Sequence, residues 1–67
     1  MIKFSVNGKI FELENDMSVY DFLAQNGYVL KFIALERDGE ILPKKLWRDR
    51  FMSEGKAYEI VILVGGG

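Results

Sequence analysis

Few side chains in this sequence can do chemistry at neutral pH. There is no cysteine and no histidine, which removes thiolate nucleophiles, disulfide frameworks, thiolate metal sites and the usual general base. What stands out is the run Tyr58-Glu59-Ile60-Val61-Ile62-Leu63-Val64-Gly65-Gly66-Gly67. A β-branched, apolar stretch passes without a polar turn into three glycines and a carboxylate. Glycine loses more conformational freedom on ordering than any other residue, so these three add nothing to a core. Extended, they reach on the order of 10 Å. With no β-carbons they are thin enough to enter a narrow slot in another protein, and the carbonyl of Gly67 is unhindered toward attack. Its carboxylate, with a pKa of about 3.5, is ionised at pH 7 and is a poor electrophile until a leaving group is attached. The pattern predicts a reactive carboxylate presented to another enzyme; a frayed end without a role is the alternative.

The body that holds this tail must be small. At 67 residues the chain is one domain near the lower size limit for folding without disulfides or metals, and a 49% hydrophobic content makes a dense core feasible. Net charge is −1 with both signs interspersed, so no electrostatic footprint for nucleic acid is expected. The longest apolar run, Ile60 to Val64, is too short to cross a bilayer, and Met1 leads directly into a strand pattern, leaving no room for a targeting peptide. The expectation is a cytoplasmic protein with no membrane association, a folded domain over 1–64 and a flexible tail over 65–67.

Ile2, Phe4 and Val6 alternate with Lys3 and Ser5, the period of a half-buried strand. Asn7-Gly8 then supplies a type I′ hairpin signal, since both central residues of that turn need positive φ. A two-residue loop pairs Val6 with Lys9, Phe4 with Phe11 and Ile2 with Leu13. Opposed residues share a face, so Ile2, Phe4, Val6, Phe11 and Leu13 gather on one side and Lys3, Ser5, Ile10 and Glu12 on the other. Ser18 followed by Asp21 resembles a capping box, with Met17 and Phe22 at staple spacing. The helix this opens spans about Val19 to Asn26 and stops at Gly27, with Val19, Phe22, Leu23 and Asn26 on one stripe. Tyr20 lies off that stripe.

Phe32 to Glu36 reads as a third strand, and Asp38-Gly39 as a tight turn into Glu40-Ile41-Leu42, ended by Pro43. The segment Lys44 to Arg50 is basic around Trp47. An anionic-partner patch is one reading; a loop whose Leu46 and Trp47 plug the end of the core is favoured. Phe51 and Met52 are expected to pack inward. In the last strand, Tyr58, Ile60 and Ile62 should face the helix, because Glu59 is costly to bury unpaired. Val61 and Leu63 then lie on the open side of the sheet. Together with Ile10 they would form an apolar docking patch beside the tail, unless the Lys44–Met52 loop covers them. The element order makes an α+β fold, a mixed sheet with one helix packed on one face.

That order, with this hairpin at the start and glycines at the end, resembles the ubiquitin-like β-grasp family. Within it the chain is most similar to the ThiS branch, the sulfur carriers of thiamine biosynthesis. The resemblance covers essentially the whole chain. It is carried by the Asn7-Gly8 hairpin, the Ser18-Val19-Tyr20-Asp21-Phe22-Leu23 helix start, Ala34 to Pro43 followed by Trp47, and Val64-Gly65-Gly66-Gly67. Two positions depart from the family pattern: Gly55-Lys56 stands where Gly-Asp often precedes the last strand, and there is a third terminal glycine.

The resemblance implies a β-β-α-β-β-β grasp and a carrier, not an enzyme. By it, Gly66 and Gly67 take the place of the family's terminal diglycine, while Gly65, Val64, Leu63 and Val61 bind partners. A ThiF-type adenylating enzyme would use ATP and magnesium to convert the Gly67 carboxylate to an acyl-adenylate. A sulfur-donor persulfide protein would then displace AMP, leaving a thiocarboxylate whose sulfur thiazole synthase receives. No cofactor or metal is implied on the chain itself. Alternatives within reach are the small subunit of molybdopterin synthase, a carrier for cysteine or homocysteine synthesis, a protein modifier joined to lysines through Gly67, and an inert-tailed interaction domain.

Overall fold

The computed structural model describes residues 1–63, so Val64 and the three glycines lie outside the described residues. Strands β1 (Ile2–Val6) and β2 (Lys9–Leu13) form the first hairpin, in the register the turn dictates: Val6 opposite Lys9, Phe4 opposite Phe11 and Ile2 opposite Leu13. Asn7 and Gly8 both take positive φ, 51° and 82°, as a type I′ turn requires. Helix α1 (Val19–Gln25) follows. Ser18 caps it by accepting a bond from the Asp21 N–H at 3.0 Å, and Val19, Phe22 and Leu23 are buried.

Asn26 is exposed rather than part of the buried stripe, a correction to the pattern. It is the C-cap, and its Nδ2 donates to the Phe22 carbonyl at 2.7 Å, satisfying one of the last carbonyls of the helix. Gly27 adopts φ 84°. The Gly27 N–H donates to the Ala24 carbonyl and the Tyr28 N–H to Leu23, the paired bonds of a Schellman ending. A single 3-10 turn over Leu30–Phe32, unmarked in the sequence pattern, leads to β3 (Ile33–Arg37), one residue later than the alternation suggests. Asp38-Gly39 turns into the two-residue β4 (Glu40–Ile41), and β5 (Ala57–Ile62) closes the fold.

The five strands lie in the order β2-β1-β5-β3-β4, with β5 parallel to β1 and antiparallel to β3. The long link that a parallel pair needs is supplied by everything between the hairpin and β5. This mixed sheet with one helix on one face is the β-grasp arrangement.

Between helix and sheet, Phe4 meets Phe22 and Tyr58 edge-on at 5.4 and 5.6 Å between ring centres, tying β1, α1 and β5 together. The segment after β4 closes one end. Trp47 and Met52 are buried and Leu46 is half-buried, and Trp47 Nε1 donates to the Leu42 carbonyl at 2.9 Å. The carbonyls of Trp47 and Arg50 accept from the Tyr20 and Val19 N–H groups, so the same segment satisfies the start of the helix. The Arg48 guanidinium stacks 3.8 Å from the Tyr20 ring centre. Phe51, expected inside, is half exposed. It forms an antiparallel bridge with Ser18 while Met52 turns into the core, and successive residues of extended chain point oppositely.

Candidate functional site

The site is the C-terminal end of β5. Strand β1 pairs with β5 only through Ser5–Ala57 and Val6–Tyr58, then turns away at Asn7. Among the described residues, 59–62 of β5 therefore run on with β3 as their only strand neighbour. Asn7 bridges the step: its Oδ1 accepts from the Ile60 N–H at 2.7 Å, and its own N–H donates to the Tyr58 carbonyl. Beyond that point β3 holds the strand, with the Leu63 N–H donating to the Phe32 carbonyl at 2.7 Å.

On the open face of the sheet Val61 sits opposite Ala34, and Val61 and Leu63 are 46% and 47% exposed. The Lys44–Met52 segment does not cover them, because it packs on the helix side with Trp47 and Met52 in the core. Ile10 is also exposed but does not belong to this patch. It is level with Ser5 and Ala57, two strands over and four residues back along β5 from Val61.

Ile62 departs from expectation. It lies on the helix side of the sheet, as alternation demands, yet is 63% exposed. The helix ends at Gln25, short of covering this part of the strand. Instead, Ile62 forms one wall of a groove with Gly27, Tyr28, Val29, Phe32 and Ile33. Val29 and Phe32 were not singled out by pattern. The available signal was a Tyr28-Val29-Leu30-Lys31-Phe32 segment more apolar than a short connection needs.

Of the remaining positions assigned by pattern and resemblance, Val64, Gly65, Gly66 and Gly67 lie outside the described residues, as does the boundary drawn between domain and tail. A perturbed carboxyl lies away from this end of β5. Asp38 is held below the usual carboxylate range, first by accepting from the Ala57 N–H at 2.9 Å and then by Lys56, 3.4 Å away. It is exposed and fastens the β3–β4 turn to the start of β5, which is a structural task. Among the described residues no three His, Cys, Asp or Glu side chains gather where they would hold a metal, and no helix is long and apolar enough to cross a membrane.

This architecture defines a ubiquitin-like β-grasp domain whose last strand carries an exposed apolar end into a glycine run. The ThiS family model matches residues 4–67, and the chain belongs to the ThiS family. It is 32% identical over 66 residues to a thiazole synthase of Paramagnetospirillum magneticum; the match takes in 98% of this chain but spans only 20% of that protein's length. It is 31% identical over 64 residues to an uncharacterized protein, ycf40, of Trieres chinensis, covering 96% and 88% of the two chains. The crystal structure of the thiamine biosynthesis protein ThiS from Geobacter metallireducens superposes with a TM-score of 0.81 at 25% identity, covering 98% of this chain and all of that one.

Proposed function

We propose that this protein is a sulfur carrier of thiamine biosynthesis, working in the cytoplasm, whose Gly67 carboxylate is the site of loading. Family membership supports the carrier role, and the relatives named for thiazole synthase and thiamine biosynthesis favour this pathway over a molybdopterin role. The observation that carries the reading is the end of β5: Val61 and Leu63 stay exposed on the open face, with only Val64 between Leu63 and the glycines in the sequence. Unpartnered apolar residues at the root of a side-chain-free tether suit a surface that docks while the tether threads.

In this reading a ThiF-type enzyme binds Mg-ATP. A Gly67 carboxylate oxygen attacks the α-phosphate, releasing pyrophosphate and forming an acyl-adenylate. The terminal sulfur of a persulfide on a donor protein attacks the acyl carbon, and AMP leaves. A second thiol cleaves the resulting acyl disulfide, leaving a thiocarboxylate on the carrier. Thiazole synthase then takes the sulfur. The domain does no catalysis; it positions one carbon atom. A chain without cysteine brings no thiol of its own to compete with the thiocarboxylate.

One alanine appended after Gly67 tests the reading. The variant should keep the wild-type melting profile and lose adenylation; adenylation at the wild-type rate would overturn the mechanism.

A further inference from the structure

Nine large apolar residues are exposed among the described residues, and five of them, Val29, Phe32, Val61, Ile62 and Leu63, surround the exit of β5. They do not share one face. Val61 and Leu63 are on the open side of the sheet, whereas Val29, at 55% exposure, and Phe32, at 49%, sit with Ile62 on the helix side. These last three form, with Tyr28, a groove of about 260 Å³. The Schellman ending of α1 sets its far wall by swinging Tyr28 off the helix axis. A larger hollow of about 360 Å³ adjoins it at Tyr28, but there the Asn7 and Asn26 amides already bond Ile60 and Phe22.

Chain length decides what can occupy the groove. Gly67 is four residues beyond Leu63, at most about 14 Å of extended chain. An enzyme that draws that carboxylate onto a bound nucleotide must therefore meet the domain within about 14 Å of Leu63. The glycines offer no side chains to grip, so recognition falls on the surface of the body within this radius. The groove and the Val61–Leu63 patch lie on opposite faces of the same strand end, Ile62 lining the one and its two chain neighbours forming the other.

Resting on the carrier reading above, we infer that the Tyr28–Val29–Phe32–Ile62 groove receives a bulky apolar side chain of the adenylating enzyme. That enzyme thereby closes on both faces of the exit strand, gripping β5 as a collar rather than lying against the sheet alone.

The test is steady-state adenylation of the full chain by a purified ATP-dependent activating enzyme, followed by pyrophosphate exchange. Val29→Asp should raise the KM for the carrier about tenfold, a loss of about 1.4 kcal/mol in binding, with kcat within about twofold of wild type. Ile62→Thr keeps a β-branched residue in the strand and should raise KM about threefold; it carries the test if Val29→Asp melts early. Ile10→Asp, on the far edge of the open face, should leave KM unchanged. An unchanged KM in a folded Val29→Asp, with Leu63→Asp impaired, would overturn the groove while leaving the carrier reading intact. A KM effect confined to the sulfur-accepting enzyme, or a change only in self-association of the carrier, would also overturn it. Failure of the wild type to be adenylated at all would sink the underlying reading.

Discussion

The two ends of the grasp are built from the same kinds of residue and treated in opposite ways. At the end where α1 begins, the Pro43–Met52 segment folds back so that Trp47 and Met52 are buried and its carbonyls cap the helix. At the end where α1 stops, Gly27–Phe32 makes only a Schellman turn and one 3-10 turn, leaving Val29, Phe32 and Ile62 half or more exposed. Strand β5 spans both regimes: Tyr58 and Ile60 are locked in the core, and Val61 through Leu63 are not. A domain this small can spare few apolar residues from its core. It nonetheless leaves several of the described apolar residues exposed at the end of β5, which the carrier reading would use for docking.

The sharpest way to break this contrast is at the closed end. Trp47→Ala removes the largest buried side chain and its bond to Leu42, and should cost about 3–5 kcal/mol, enough to unfold much of a domain this size. Urea denaturation would show it, and a loss below about 1 kcal/mol would mean that Trp47 is not the plug it looks like.

The boundary between the regimes is Asn7. Asn7→Ala leaves the Ile60 N–H without its partner and puts a β-carbon residue less suited than asparagine at φ 51°. A cost of about 1–3 kcal/mol is expected. Asn7→Gly should recover only the turn's share of that loss, and full recovery would show that the bridge to β5 contributes nothing.

At the open end Leu63→Asp should change stability by less than about 0.5 kcal/mol while weakening enzyme docking about tenfold. The reverse pattern would make Leu63 a core residue.

The smallest effect concerns Asp38. Its carboxyl is held low in the folded state by the Ala57 N–H and then Lys56. The stability it contributes is therefore present above the unfolded carboxylate range and fades as pH falls through the lowered folded value. Asp38→Asn should melt below wild type at pH 7, with the gap closing in acid. A gap that persists or widens in acid would remove the ionised form from the explanation.

These contrasts were unevenly legible in the sequence. Asn7-Gly8 fixes a register, and a two-residue turn permits only one pairing, so the first hairpin followed entirely from its pattern. Ser18 and Trp47 were equally plain, because a cap and a large aromatic after a proline each have few places to go. Ile62 lies on the face the pattern assigns yet stays exposed, for a physical reason. Alternation assigns a face but not what covers it, and the helix runs out before the strand does. The expectation for Phe51 failed, since two adjacent apolar residues in extended chain cannot both point inward. The second role of Asn7, as a cap for Ile60, joins residues 53 positions apart and has no local signature. Of the candidate site, Val61 and Leu63 were visible from the strand period, whereas Val29 and Phe32 were not, because a 3-10 turn has no periodicity to announce it.

The carrier reading rests on loading at the carboxyl carbon of Gly67. Intact-mass analysis tests it most directly, after incubation with an activating enzyme, Mg-ATP, a persulfide donor and a reducing thiol. One oxygen-to-sulfur exchange is predicted, localised by fragmentation to Gly67 and absent without ATP. An unchanged mass in a mixture that loads a known carrier, or a sulfur located anywhere else in the chain, would contradict the account.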